Sequence, residues 1–278
     1  MRLARVLFLA GTVYGIKKKT AFERRDTVEQ IAIISDIHGN MPALEAALSD
    51  IAARGITRIL CLGDLVGKGP GSAAATDRIR AVCEAVVQGN WDLGITMPQE
   101  QAHGLWQQRQ LRPDQLDYLA ALPFCVDLPI SGRRLRLFHA SAVSVFHRVN
   151  RKASKAERLA LFANTAATGF PQDGATPDVV GYGDIHLSYL RTLPCPDAPT
   201  GGLTLFNTGS IGVPYDGIPQ ASYCIVEGVS GTDGPAPFGI QFIRVPYDIE
   251  AAVRLTRGSD MPDAERYIRE ITTARVHQ

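Results

Sequence analysis

The sequence predicts an α/β fold built around a parallel β-sheet. Short apolar runs rich in β-branched residues alternate with segments of helical periodicity over the first part of the chain, from residue 31 to residue 87. The runs are apolar throughout, which is typical of strands that are buried on both faces. The order strand, helix, strand, helix, strand indicates parallel strands joined by crossover helices.

The first predicted strand is the run IAIIS at residues 31–35. Asn40 is a suitable cap for the helix that follows, and Pro42 fits its first turn. The apolar residues of that helix recur at helical spacing until Gly55 ends it. The next predicted elements are a strand at 59–62, a helix at 73–82 and a strand at 85–87.

The remaining elements follow from local patterns. Residues 94–122 are less regular, except for a helix that Pro113 opens and that runs to residue 121. Ser131 and Gly132 separate two β-rich runs and predict a β-hairpin. The further predicted elements are strands at 124–128, 134–138, 179–180, 203–206, 222–226 and 239–245, and helices at 153–163, 249–255 and 262–274.

Composition narrows the class of protein. The chain has 278 residues and a net charge of +1, which argues against a broad basic surface for nucleic acid. We therefore expect no stable nucleic acid complex. The five cysteines include no CxxC pair, which favours reduced thiols and a cytoplasmic protein. We expect no membrane association, and the oligomeric state stays open.

The N-terminal segment differs from the rest. An apolar run at residues 6–16 lies between basic residues, but it has no small-x-small cleavage site and is too short to span a bilayer. We therefore predict that residues 1–29 are a mobile N-terminal extension. We find no repeat and no low-complexity linker after it, so residues 30–278 are predicted to form one domain.

Polar residues follow the carboxyl ends of the predicted strands, where open α/β sheets bind their ligands. They are Asp36, His38, Asp64, Asn90, His139, Asp184 and His186. Carboxylate, imidazole and amide groups together suit divalent ions such as Mn²⁺, Fe²⁺ or Zn²⁺. A carboxylate can bridge two such ions, and the pair can supply a hydroxide nucleophile near neutral pH. The sequence contains no phosphate-binding P-loop and no GxSxG nucleophile motif.

These motifs resemble those of the calcineurin-like metallophosphoesterases, in the same order along the chain. They are DIHGN (36–40), GDLVGKGP (63–70), GNWD (89–92), HA (139–140) and GDIH (183–186). FNTGSIGVPYDG (206–217) and RVPYDIEAA (244–252) resemble the small bacterial and archaeal phosphodiesterase branch of that superfamily. The resemblance covers about residues 30–255. It implies a four-layer α/β/β/α sandwich of two mixed β-sheets flanked by helices.

The resemblance also implies a role for each residue. Asp36, His38 and His186 would bind the first metal ion, and Asp64 would bridge the two ions. Asn90 and His139 would bind the second ion. The expected catalytic residues are Asp36, His38, Asp64, Asn90 and His139. They would support attack of a metal-bound hydroxide on a small phosphorylated substrate, a phosphate ester that we expect to be a phosphodiester.

Two positions depart from the family pattern. Asp184 stands where a histidine ligand of the second metal is usual, and we expect Asp184 to bind that ion through oxygen. This exchange shifts the expected metals towards Mn²⁺, with Mg²⁺ also possible. Trp91 stands where many members have a histidine that assists the leaving group, so Asp92 loses its usual histidine partner.

Other functions remain open at this stage. Phosphomonoesterase or protein phosphatase activity would use the same motifs. A non-catalytic metal-binding scaffold is favoured by Trp91 and Asp184 and opposed by the intact set of other ligands. A nuclease is disfavoured by the charge balance. Lys68, in the loop after Asp64, is a further candidate for contact with phosphate.

Overall fold

The computed structural model describes residues 28–196, 198 and 201–277 of the chain. The strands within these residues are β1 (Val28–Ile34), β2 (Arg58–Cys61), β3 (Ala85–Val86), β4 (Cys125–Ile130), β5 (Arg133–Phe138), β6 (Val179–Tyr182), β7 (Tyr189–Pro194), β8 (Gly202–Asn207), β9 (Ala221–Val229) and β10 (Gly239–Val245). The helices are α1 (Met41–Ala53), α2 (Ser72–Val82), α3 (Asn90–Thr96), α4 (Ala102–Gln110), α5 (Pro113–Ala120), α6 (Lys155–Ala160), α7 (Ile249–Arg257) and α8 (Ala264–Thr273).

The first sheet has the strand order β10-β9-β1-β2-β3. Strands β1, β2 and β3 are parallel, and α1 and α2 connect them as crossover helices, as the sequence predicts. Strand β9 runs antiparallel to both β1 and β10. The three parallel strands therefore end at one edge of the sheet, and the polar residues that follow them are brought together there.

The second sheet has the strand order β4-β5-β6-β8-β7. The predicted hairpin is present, since β4 and β5 pair antiparallel. Strands β5, β6 and β8 are parallel, and β7 closes the edge antiparallel to β8. The sequence analysis did not identify β7. Most of its residues are exposed and a proline ends it, so it lacks the apolar pattern by which the buried strands were found.

The two sheets pack face to face, and β1 shows why its sequence is apolar throughout. Ile31 and Ile33 lie in the core between the sheets, with Phe206 of the second sheet in the same cluster. Ala32 and Ile34 point the other way and pack among the helices on the outer face. Burying a side chain such as isoleucine contributes about 1.5–3 kcal/mol, so both faces of β1 stabilise the fold.

The outer layers complete the predicted four-layer α/β sandwich of two mixed sheets, which is confirmed. Helices α1, α2 and α5 cover the outer face of the first sheet. The outer face of the second sheet is covered mainly by the segment 142–162, which includes the short helix α6. Helices α7 and α8 pack on each other, and α7 also contacts α1.

Several elements differ from the sequence prediction. Helices α3 and α4 were not predicted, because α3 has only seven residues, whereas α4 contains Gly104 and begins after Gln101, which is not a preferred N-cap residue. Helix α6 is shorter than the predicted helix at 153–163. Strand β1 begins at Val28, so residues 28 and 29, assigned above to the extension, pair with β9.

Residues 1–27, which make up the rest of the predicted extension, lie outside the described residues. In the part of the chain that the structure describes, every helix is too short or too polar to cross a bilayer.

Candidate metal centre

The candidate ligands occupy the turns directly after the strands. Asp36 and His38 follow β1, Asp64 follows β2, and His186 follows β6. All four have positive φ angles between 48° and 56°. This left-handed region is uncommon for residues with a side chain, and such strain concentrates at functional sites. The turns are therefore shaped to direct these side chains to one place rather than to minimise backbone strain.

Asp36, His38 and His186 form the first ligand cluster, and all three are buried. The Nε2 atoms of His38 and His186 are 3.2 Å apart. His186 Nε2 is also 3.2 Å from Asp36 Oδ1, and His38 Nε2 is 3.9 Å from the same oxygen. The three predicted ligands of the first metal ion thus converge on one point.

Asp36, Asp64 and His139 form a second cluster, which shares Asp36 with the first. His139 Nε2 lies 3.5 Å from Asp64 Oδ1, and Asn90 Oδ1 lies 2.9 Å from the same nitrogen. The other carboxylate oxygen of Asp64 is 3.5 Å from His38 Nε2. Asp64 therefore reaches both clusters, which is the position expected of a bridging carboxylate.

The hydrogen bonds of the three imidazoles fix where their lone pairs point. Nδ1 of His38 faces the Val66 carbonyl oxygen at 2.9 Å, and Nδ1 of His139 faces that of Leu62 at 2.7 Å. Nδ1 of His186 faces the carbonyl oxygen of Val213 in the same way. A carbonyl can only accept, so each Nδ1 carries the hydrogen and each neutral Nε2 presents a lone pair.

The cluster consequently brings acceptor atoms together without donors between them. Two imidazole lone pairs face each other across the first cluster, and Asp36 Oδ1 is buried with no hydrogen-bond partner. In the second cluster Nε2 of His139 faces the amide oxygen of Asn90, so this contact needs a proton or a cation on that nitrogen. Cations at these two points would satisfy all of these atoms, so the residues present fit a pair of divalent ions.

The pKa values of Asp64 and His139 indicate that the site has an excess of negative charge. Burial raises the pKa of Asp64 well above its usual value, and the negative charges of Asp36 and Asp92 raise it further. Burial would lower the pKa of His139, but the carboxylates of Asp64, Asp36 and Asp184 outweigh it and raise that pKa to about 9. A divalent cation would relieve this crowding of carboxylates.

Asp92 proves to position Asp64 rather than to face the clusters. Its carboxylate accepts hydrogen bonds from the backbone N–H groups of Asp64 at 2.7 Å, Gly89 at 2.9 Å and Leu65 at 2.9 Å. The N–H of Trp91 in turn donates to Asp64 Oδ1 at 2.8 Å. Asp92 thus clamps the β2 turn to the start of α3, a role that does not require a histidine partner.

Asp184 occupies a different place from the other predicted ligands. Its carboxylate accepts two hydrogen bonds from Arg148, at 2.8 and 2.9 Å, and it belongs to neither ligand cluster. Its Oδ1 atom lies 4.0 Å from Nε2 of His139, so it borders the second cluster. Sequence reasoning did not find Arg148, because an arginine in an irregular segment carries no motif.

Aromatic and basic side chains border the first cluster. The ring of Tyr215 stacks on His186 with a centroid separation of 4.6 Å, and Trp91 meets His38 edge-on at 6.0 Å. Lys68 Nζ lies 2.9 Å from the Tyr215 hydroxyl and 3.6 Å from a carboxylate oxygen of Glu270. A cavity of about 220 Å³ adjoins Lys68 and Trp91. Lys68 is thus a fixed cation beside the site.

Sequence reasoning missed the contributions of Tyr215 and Glu270. Tyr215 lies within the stretch 206–217, whose resemblance to the phosphodiesterase branch was its only signal. Glu270 carries no local signal, because an acidic residue on a C-terminal helix usually faces solvent. Here it is buried and accepts a hydrogen bond from the Tyr215 hydroxyl at 2.7 Å.

Comparisons with known proteins agree with this geometry. A family model described as the calcineurin-like phosphoesterase superfamily domain matches residues 30–231. The uncharacterised protein MJ0912 of Methanocaldococcus jannaschii is 31% identical over 255 residues, which cover 84% of this chain and 94% of that protein. The family match extends over every candidate ligand, so it concerns the site as well as the fold.

Two solved structures share the architecture. A metallophosphoesterase from Sphaerobacter thermophilus superposes with a TM-score of 0.67 at 25% identity, covering 89% of this chain and 100% of that chain. The hypothetical protein PH1004 from Pyrococcus horikoshii OT3 has the same TM-score at 18% identity, covering 89% and 99%. The second likeness concerns the fold alone.

The family match contains the whole constellation described above. It begins before Asp36, ends after Val213, and includes every strand from β2 to β9 in full. The residues that would hold metal ions lie where the fold brings its strand ends together. The chain therefore belongs to the calcineurin-like phosphoesterase superfamily and is a metal-dependent hydrolase that acts on phosphate esters.

Proposed function

We propose that this chain hydrolyses a small phosphodiester at a site that holds two divalent ions. Asp36, His38 and His186 would hold the first ion, Asn90 and His139 the second, and Asp64 would bridge them. The observation that carries this proposal is the pair of ligand clusters that share Asp36, the first with two imidazoles and the second with one. Bound metal would supply Lewis acidity for the phosphoryl oxygens and activate a water molecule as nucleophile.

The protein's own residues would orient these parts. The carbonyl groups of Val66, Leu62 and Val213 hold the three imidazoles in the tautomer that binds metal. Asp92 fixes the backbone of Asp64 through three N–H groups, so the bridging carboxylate is preorganised. Such outer contacts set both the affinity for metal and the geometry of the reaction.

The identity of the metal follows from the donor set. Three imidazoles with carboxylate and amide oxygens suit borderline ions, and we propose Mn²⁺ ahead of Fe²⁺, Zn²⁺ and Mg²⁺. We also propose a cytoplasmic location, since five free cysteines fit a reducing compartment. A small substrate rather than nucleic acid is supported by the net charge of +1.

The proposal is tested by metal analysis and turnover together. Protein purified with Mn²⁺ would contain two equivalents of metal and hydrolyse bis(4-nitrophenyl) phosphate faster than 4-nitrophenyl phosphate. Asp64→Asn removes the bridging charge, and we expect turnover to fall at least about a hundredfold. The exposed Asp117→Asn in α5 is the matched control and should behave as the native protein.

Each other outcome has a meaning. Faster hydrolysis of the monoester would identify a phosphomonoesterase of the same fold. Protein that takes up no metal and turns over neither ester under varied Mn²⁺ would be a scaffold that has lost catalysis. One equivalent of metal with full activity would exclude the dinuclear site.

A further inference from the structure

Arg148, which is exposed, and Asp184, which is buried, form an ion pair at the edge of the second ligand cluster. Arg148 Nε donates to Asp184 Oδ2 at 2.9 Å, and its Nη2 donates to Oδ1 at 2.8 Å. The Asp184 side chain is 3% exposed, whereas that of Arg148 is 56% exposed. Asp184 therefore anchors the guanidinium of Arg148 through Nε and Nη2, while more than half of the Arg148 side chain stays exposed to solvent.

The guanidinium lies within the field of the ligand cluster. Hydrogen bonding to Asp184 raises the pKa of Arg148, and the carboxylates of Asp36 and Asp64 raise it as well. Asp184 Oδ1 is 4.0 Å from His139 Nε2, so the pair borders the second cluster directly. A phosphoryl group at the clusters would thus lie beside a guanidinium that is always charged.

Arg148 has unused donors for such a group. An arginine carries five N–H donors, and the two bonds to Asp184 use one on Nε and one on Nη2. Among the described residues, no hydrogen bond from this guanidinium reaches an acceptor other than Asp184. The planar arrangement of the remaining donors matches the oxygens of a phosphate.

We propose that Arg148 binds a non-bridging phosphoryl oxygen of the substrate, and that Asp184 positions Arg148 rather than binding metal. This inference rests on the proposed function, because it assumes that a phosphate ester occupies the clusters. It assigns Asp184 a role different from the oxygen ligand expected from its place in the GDIH motif. Both of its carboxylate oxygens are already engaged, and neither joins the atoms that could hold an ion.

The test separates phosphate binding from metal binding. Arg148→Gln and Asp184→Asn would be loaded with Mn²⁺, and their metal content measured beside that of the native protein. Both should keep the native metal stoichiometry. Inorganic phosphate, titrated by calorimetry, should bind Arg148→Gln about tenfold to a hundredfold more weakly. KM for bis(4-nitrophenyl) phosphate should rise by a similar factor.

A double variant distinguishes positioning from ligation. If Asp184 acts only through Arg148, the variant that carries both substitutions should bind phosphate no more weakly than Arg148→Gln alone. Arg148→Lys keeps the charge but cannot form the two-bond contact with Asp184, so it should restore only part of the affinity. Asparagine tolerates the positive φ of 64° at position 184, so Asp184→Asn leaves the turn intact.

Arg151→Gln, an exposed arginine on the same segment, is the control and should match the native protein. Loss of one metal equivalent in Asp184→Asn would overturn the positioning role. Native phosphate affinity and KM in Arg148→Gln would overturn the phosphate contact. Neither result would affect the hydrolase assignment, whereas absence of metal and turnover in the native protein would defeat that assignment and this inference together.

Discussion

Individual residues at this site depart from their usual hydrogen bonding and backbone conformation. Three imidazoles direct their Nε2 atoms towards carboxylate, amide or imidazole acceptors, and aspartates and histidines adopt backbone conformations that favour glycine. An unpaired buried polar group costs about 1–3 kcal/mol, so several of them in one place oppose folding in the absence of metal. Such an arrangement persists only where the surrounding structure stabilises it and a ligand repays the cost.

The protonation of His139 leads to a prediction about the metal-free protein. Its pKa is raised from 6.5 to about 9 in the folded state, because nearby carboxylates outweigh the effect of burial. A raised pKa stabilises the fold fully below pH 6.5, and this contribution is lost as the pH rises through about 9. We expect the free energy of unfolding of chelator-treated protein, measured in urea, to fall between pH 6.5 and 9.

His139→Asn should flatten this decline, and saturating Mn²⁺ should remove it because the ion replaces the proton. An equal decline in His139→Asn would show that another group is responsible.

At the scale of elements, the turn after β2 and the start of α3 form one unit. The Asp92 carboxylate of α3 accepts three hydrogen bonds, from the backbone N–H groups of Gly89, Asp64 and Leu65. Helix α3 thereby fixes the position of Asp64, and its first residue is Asn90, another predicted ligand. Helix α3 is short, yet it determines the position of two predicted ligands.

Two glycines near α3 provide a matched test of this unit. A Cβ atom at Gly89 would lie 2.2 Å from Asp64 Oδ1 and 2.3 Å from the Asp64 nitrogen, so Gly89→Ala must displace the ligand. We expect Mn²⁺ affinity, measured by calorimetry, to fall at least about tenfold and stability to fall by about 1–3 kcal/mol. Unchanged metal affinity in Gly89→Ala would contradict this account.

Gly94 lies in the same helix, and a Cβ atom there would meet no atom within 4 Å. Gly94→Ala should therefore leave metal affinity unchanged and raise helix stability by up to about 1 kcal/mol.

The sequence predicted the elements whose pattern reflects burial and missed those whose pattern does not. The run at residues 31–35 was found because β1 is covered on both faces. Strand β7 was missed because it is an exposed edge, and α4 because it contains a glycine and lacks a preferred N-cap residue. Six predicted ligands lie in the site because each motif follows a strand, and the ends of these strands meet at one place. The contacts of Arg148 and Glu270 depend on tertiary structure alone.

At the scale of the whole molecule, the C-terminal helices extend the site beyond the family match. The match ends at residue 231, whereas α8 lies further along the chain and contributes Glu270. Glu270 contacts Tyr215 and Lys68, and Tyr215 stacks on the predicted ligand His186. The C-terminal part of the chain therefore supports the predicted ligand that follows β6.

Glu270→Gln tests this support. The substitution leaves the ammonium of Lys68, whose side chain is 19% exposed, without its counter-charge. We expect the free energy of unfolding in urea to fall by about 1–3 kcal/mol and the KM for a phosphodiester to change with it. The exposed Glu265→Gln on the same helix should have no such effect.

Lys68→Met combined with Glu270→Gln should recover part of the lost stability, because the unpaired charge is gone. Simple additivity of the two substitutions would mean that the pair is not coupled.

The antiparallel pairing of β1 with β9 has a consequence for biogenesis. Strand β1 supplies the turn that holds Asp36, but its neighbour on one side is a strand from residues 221–229. A chain emerging from the ribosome must therefore expose β1 unpaired on that side until most of the polypeptide has been made. If metal ions bind as proposed, their capture would be a late event, and the supply of metal after synthesis, rather than during it, would determine how much active protein a cell accumulates.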